Sequence, residues 1–170
     1  MEVQNKYGLF VQCRALLDSD SQSHFITGRC VQRLRLSRLQ THAQIQARSS
    51  VNTVTYHSVS IYFRFRHTDW HTTLNCTIMS QITGTTPSTK LDTNTWKIPK
   101  DIKLDNEQFD QTRDIDLFNG ADLLCDMLLS DRRTRPGNYP VLRERVLGCT
   151  HICRTSATPT QHDPQSTFLL

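Results

Sequence analysis

The sequence predicts a mostly β fold with one or two short helices, and three observations carry that prediction. Ala15-Leu16-Leu17 is a short apolar run that stops at the polar, turn-like stretch Asp18–Gln22, as a buried strand does. In Val59–Arg66 the apolar Val59, Ile61, Phe63 and Phe65 alternate with Ser60, Tyr62, Arg64 and Arg66, the period of a half-buried strand. After a turn at His67–His71, Leu74, Cys76 and Ile78 alternate again, so the two runs form a hairpin.

The other elements follow in chain order. Tyr7–Leu17 reads as extended, with a corner at Tyr7-Gly8 and apolar Phe10, Val11 and Cys13 after it. His24-Phe25-Ile26 returns to apolar character. Thr27 can cap a helix over about Gly28–Leu39, where Cys30, Val31 and Leu34 share a face. Arg29, Arg33, Arg35 and Arg38 take the other positions, the pattern of a solvated amphipathic face. Thr83–Asn94 is rich in Thr, Ser and Pro and reads as a loop, and Trp96, Ile98, Ile102 and Leu104 are scattered anchors around Pro99. Ile115-Asp116-Leu117-Phe118 is a short strand that stops at Asn119-Gly120. Ala121–Leu129 reads as a helix with Leu123, Leu124, Met127 and Leu128 on one side. Arg135-Pro136-Gly137-Asn138 is a turn, and Val141-Leu142 and Val146-Leu147 are short strand candidates. Thr155–Leu170 is polar, contains Pro159 and Pro164, and is expected to be disordered. No repeat with a fixed period is visible.

A chain of 170 residues fits one domain. A hydrophobic share of 36% and a mean hydropathy of −0.50 predict a modest core with loose ends. The formal net charge of +4 falls short of the strong basic balance of a dedicated nucleic-acid binder. The six cysteines are irregularly spaced, and Glu2, Gln4, Asn5 and Lys6 leave no apolar leader after Met1. The expectation is an intracellular protein with free buried thiols. No stretch is long and apolar enough to be read as a membrane span.

Two segments carry chemistry when taken together. The first is Leu16-Leu17-Asp18-Ser19-Asp20-Ser21, apolar residues leading into Asp-Ser. The second is Leu117-Phe118-Asn119-Gly120-Ala121-Asp122-Leu123-Leu124, a strand, a glycine and a helix start. Their order and spacing resemble retropepsin-like folds, in which an Asp-Ser/Thr-Gly loop follows a buried strand and a later apolar-apolar-Gly segment threads beside it. The resemblance narrows to the peptidase domain of BEL/Pao-type retrotransposon polyproteins. It is carried by Cys13–Ser19, Ser21-Gln22-Ser23, Phe25-Ile26-Thr27, Ile115-Asp116-Leu117, Gly120-Ala121-Asp122, Pro140-Val141-Leu142 and Val146-Leu147-Gly148. It covers about Tyr7–Cys149.

The resemblance implies a retropepsin-like single-lobe acid-protease β-barrel over 7–153, preceded by a clipped lead at 1–6 and followed by a disordered polar tail at 154–170. It implies a homodimer in which each lobe supplies one aspartate, here Asp18. The two carboxylates share a proton because like charges about 3 Å apart cannot both ionise. One takes a proton from water as it attacks a peptide carbonyl, and the other donates a proton. Ser19 matches the hydroxyl that braces the loop across the dimer. Asp20 and Ser21 complete the loop, and Phe118, Asn119 and Gly120 form the second loop beside the site. A hairpin between the two motifs folds over substrate as a flap, with Ala47, Arg48, Ser49 and Ser50 at its tip. No cofactor and no metal are implied. The substrate is a peptide or polyprotein.

The chain departs from that pattern at four places. Position 20 is Asp where the family has Gly, which adds bulk and a negative charge on each subunit. Four carboxylates around one axis oppose assembly, so the expected peptidase activity is weak or nil. None of Ala47, Arg48, Ser49 and Ser50 is the flap glycine. Asn119 replaces an apolar residue, and Cys149 replaces a tryptophan. The alternative function is a non-catalytic retropepsin-like dimerisation or protein-binding module, and Asp20 is the feature that favours it.

Other clusters have plainer readings. Asp-Ser pairs are common in turns, so Asp18-Ser19 carries weight only with its partner motif. Cys149-Thr150-His151-Ile152-Cys153 offers at most three metal ligands with no second Cys pair, and reads as a strand end and tail. His67, Asp69 and His71 read as a solvated hairpin loop, and Trp70 and Trp96 as anchors. The arginines of Gly28–Leu39 leave nucleic-acid binding as the weakest reading. Arg132, Arg133 and Arg135 follow a helix, where they favour its C-terminal dipole.

Overall fold

A computed structural model describes residues 1–46, 52–67, 69–93, 104, 106–123, 128–133, 141–145, 148–152 and 167–169. The fold is mostly β, and its main sheet curls into a half-barrel. Among the described residues, twelve strands and the helix α1 (Gly28–Leu34) follow in order. They are β1 (Glu2–Gln4), β2 (Phe10–Gln12), β3 (Ala15–Asp18), β4 (Phe25–Thr27), α1 (Gly28–Leu34), β5 (Leu39–Gln46) and β6 (Asn52–Arg64), then β7 (His71–Met79), β8 (Leu117–Asn119), β9 (Leu128–Arg133), β10 (Val141–Arg145), β11 (Gly148–Ile152) and β12 (Thr167–Leu169).

The main sheet runs β12-β3-β8-β4-β7-β6-β1-β2, with β5 also on β6. The expected hairpin is its centre. β6 and β7 pair antiparallel from Ser58↔Thr77 to Arg64↔His71. Val59, Ile61 and Phe63 are buried while Ser60, Tyr62 and Arg64 face outward, so the period-two pattern survives because only one face is covered. Trp70 caps this face, 5.9 Å from the Phe63 ring and 5.0 Å from that of Phe65. Toward Asn52, β6 passes the end of its pairing with β7 and keeps only β5 as partner, from Gln40↔His57 to Gln46↔Asn52.

The strand order around β8 is the topological feature that matters most. β3 and β4 follow one another in sequence, yet they do not pair. β8 lies between them, parallel to β3 (Ala15↔Leu117, Leu16↔Phe118, Leu17↔Asn119) and antiparallel to β4 (Phe25↔Phe118, Ile26↔Leu117). A strand with neighbours on both edges and core on its face favours apolar residues, and Leu17, Ile26 and Leu117 are fully buried.

Thr27 caps α1, its side chain accepting the Cys30 N–H at 3.2 Å. The buried face is Cys30, Val31 and Leu34, as the pattern predicts. The helix is shorter than the expected Gly28–Leu39. Arg35 takes a left-handed conformation (φ 54°), closes the end with bonds to Val31 and Gln32 carbonyls, and frees the chain to enter β5.

Two further expectations are corrected. Residues 121–123 are helical, but Leu128 and Leu129 belong to β9 and not to that helix, because β9 pairs with β10 in a separate sheet ordered β11-β10-β9. In the tail expected to be disordered, Thr167–Leu169 form β12, which pairs antiparallel with β3 (Thr167↔Asp18) and satisfies its outer edge. Trp96, Ile98 and Ile102, the turn at 135–138, Val146, Leu147 and Cys153 lie outside the described residues. Among the described residues no helix is long and apolar enough to cross a membrane.

Candidate active site

Asp18 ends β3, where the buried run Ala15-Leu16-Leu17 delivers it, half-buried, to the start of a tight loop. Its Oδ1 accepts the Asp20 N–H at 2.9 Å, which fixes the carboxylate against its own loop. The Ser19 hydroxyl donates to Asp20 Oδ1 at 3.4 Å. The Ser21 hydroxyl donates to the Ser23 carbonyl at 3.0 Å and accepts the Ser23 N–H at 3.2 Å. These local bonds close the loop from 18 to 23 without regular structure.

Asp20 fits within the single chain. It is exposed, and among the described residues Arg35 alone among non-glycines has a positive φ. The obstacle to the glycine pattern is therefore not backbone conformation inside one lobe. What Asp20 adds is a negative charge two residues from Asp18.

The second segment lies against the Asp18–Ser23 loop. The Ala121 N–H donates to the Ser21 carbonyl at 2.7 Å. Gly120 is buried against the same group, and a Cβ at that position would come 2.5 Å from the Ser21 oxygen and 3.2 Å from the Ser23 nitrogen. Glycine is required here by close approach. Phe118 tilts against Phe25 across the β4–β8 pair, ring centroids 5.8 Å apart. Asn119 is fully buried; its Nδ2 meets Met1 Sδ at 3.9 Å, and its Oδ1 has no partner among the described residues.

Two supports are not evident from the sequence. His24 Nδ1 accepts the Gly120 N–H at 3.2 Å, and His24 Nε2 lies 3.1 Å from Asp122 Oδ2. Both contacts are met by the neutral tautomer with its proton on Nε2. Burial works to raise the Asp122 carboxyl, but the Leu123 N–H and His24 outweigh it and hold Asp122 below the ordinary carboxylate range. Asp116 anchors the other end of β8. Its Oδ2 accepts from the Arg14 N–H at 3.0 Å and from Arg33 Nη2 at 2.9 Å, while its own N–H donates to the Arg14 carbonyl. His24 reads only as part of an apolar return, and Asp116 only as the polar member of a strand.

The described geometry thus brings together Asp18, Ser19, Asp20, Ser21, Phe118, Asn119 and Gly120. Ala47, Arg48, Ser49 and Ser50 lie outside the described residues, between β5 and β6. A lone carboxylate can take or give one proton. No protein-family model matches the chain, and comparisons with curated proteins and with solved structures found no match.

Proposed function

We propose that the chain is a retropepsin-like aspartic peptidase domain of a BEL/Pao-type retroelement polyprotein, with activity impaired by Asp20. One observation carries this reading. β8 is inserted between β3 and β4, and it presses Gly120 onto the loop that Asp18 opens. That arrangement supports the reading because the two segments of the sequence motif lie side by side. Supporting it, β5 and the far half of β6 form a two-stranded arm joined through positions 47–51, where the resemblance puts a flap.

In the working form two lobes meet so that their Asp18 carboxylates share one proton. The ionised carboxylate deprotonates a water, the water attacks the peptide carbonyl, and the protonated carboxyl donates to the substrate oxygen. The Asp20 N–H bond orients each carboxylate before substrate arrives. The Asp20 side chains place two further negative charges beside the pair and disfavour the dimer.

The test is cleavage of a Gag-derived peptide by the wild-type chain, Asp20→Gly and Asp20→Gly/Asp18→Asn. The expected result is little or no turnover by the wild type, a clear gain with Asp20→Gly, and loss of that gain with Asp18→Asn. Equal, robust turnover by wild type and Asp20→Gly overturns the impairment. A folded, dimeric Asp20→Gly chain that neither cleaves nor binds a pepstatin-type inhibitor overturns the peptidase reading and leaves the non-catalytic dimerisation or protein-binding module.

A further inference from the structure

Cys13 sits between β2 and β3, and Cys30 lies in α1. Both are buried, and their sulfurs are 3.7 Å apart. One nitrogen, Nη2 of Arg33, stands 3.4 Å from Cys13 Sγ, 3.7 Å from Cys30 Sγ and 2.9 Å from Asp116 Oδ2. Two thiols and a carboxylate within 4.8 Å of one another could hold a cation, but the guanidinium already occupies the space between them. Cys13, Arg33 and Asp116 also line a cavity of about 470 Å³ whose walls include Arg14, Arg29 and Arg113. Cys13, though buried, therefore borders a cavity large enough for a small polar solute.

The two thiols are not equivalent. The hydrogen bond from Cys30 holds Cys13 below the ordinary thiol range, helped by Arg33 and opposed by burial and Asp116. The same hydrogen bond, together with burial, pushes Cys30 up. Geometry also separates them: Cys13 is the sulfur nearer the Arg33 guanidinium, at 3.4 Å against 3.7 Å, and the one of the two that lines the cavity.

We propose that Cys13 and Cys30 form a redox site that hydrogen peroxide or another small hydroperoxide oxidises to a disulfide. The Cys13 thiolate attacks the peroxide; an S–O bond forms, the O–O bond breaks, and hydroxide (or, from an organic hydroperoxide, alkoxide) leaves and takes a proton from solvent to become water (or the alcohol). Cys30 then attacks the Cys13 sulfenic acid; the S–S bond forms, the S–O bond breaks, and hydroxide leaves with the Cys30 proton as a second water. Two thiols are oxidised and one peroxide is reduced. The sulfurs need to close from 3.7 Å to a bonding distance of about 2 Å. The new bond ties β3's lead to α1 and encloses the whole Asp18–Ser23 loop in a covalent ring. Cys76 is the internal control, since burial pushes its thiol up to about 12.

The test exposes the reduced full-length chain to hydrogen peroxide, then unfolds it, blocks free thiols with iodoacetamide and maps tryptic peptides by mass spectrometry. Trypsin releases Cys13 in residues 7–14 and Cys30 in residues 30–33, so their linkage is read directly. The expected result is that linked pair, reversed by dithiothreitol, with Cys76 still alkylated and the melting temperature raised by about 5–10 °C. In Cys30→Ser the product becomes a Cys13 sulfenic acid trapped by dimedone. Peroxide that leaves Cys13 and Cys30 alkylatable in the wild type, or links either to another cysteine, overturns the proposal. So does retention of a zinc ion that shields both thiols.

Discussion

The Ser21 carbonyl oxygen occupies the space in which Gly120 would carry a side chain, 2.5 Å from the position of a Cβ. Both partners are backbone, so neither can swing aside. Gly120→Ala is therefore expected to cost about 2–4 kcal/mol and to break the Ala121 N–H bond to Ser21. Urea unfolding measures the loss, and a cost under about 1 kcal/mol would show that the two segments do not meet this closely.

Asn119 is the converse case, a polar side chain with too few partners. Among the described residues its Oδ1 is buried and unpaired, and its Nδ2 has only a thioether at 3.9 Å. Asn119→Leu keeps the approximate shape and removes the unmet demand. It is expected to raise stability by about 1–2 kcal/mol, read as a higher urea midpoint with an unchanged slope.

Acid sensitivity should trace in part to Asp122. Its carboxyl is held below its ordinary value in the folded chain, so folding favours the ionised form. The contribution is full above the ordinary carboxylate range and is lost as pH falls through the lowered folded value. Asp122→Asn should therefore narrow its gap to the wild type as pH drops below about 4. Because the Asp122 side chain is 66% exposed, the effect is small and shrinks further in salt. Thermal melts across this pH range at low and high salt check both points.

Self-association should respond to salt in a diagnostic direction. If two lobes meet at Asp18, the Asp20 charges repel across the axis and added salt strengthens the dimer. Asp20→Gly should tighten it on the order of tenfold and remove most of the salt dependence. Sedimentation equilibrium distinguishes this from an unrelated contact, which would leave the two chains alike.

What was legible in the sequence was local. Val59, Ile61 and Phe63 alternate with polar neighbours, and that pattern alone fixes the β6–β7 hairpin and its inward face. Thr27 announces α1 by its capping hydroxyl. The end of α1 was hidden because Arg35, not Gly or Asn, adopts the left-handed turn. Leu128 completes a helical spacing with Leu124, yet pairing with β10 decides its state, and that pairing has no local signature. The site divides the same way. Asp18 and Gly120 stand out by residue type and order, whereas His24 reaches Gly120 across 96 positions and the Arg14 N–H reaches Asp116 across 102. Bonds of that span leave no periodic trace.

The insertion of β8 between β3 and β4 sets a timetable for synthesis. A ribosome that has made β1 to β7 has released every residue of the Asp18 loop, but none of the strand that separates β3 from β4. Until residues 117–120 emerge, the loop has no Gly120 to rest on and β3 and β4 have no common neighbour. Closing contacts so distant in sequence is slow relative to local hairpins. The candidate site is therefore assembled late, after the β6–β7 hairpin.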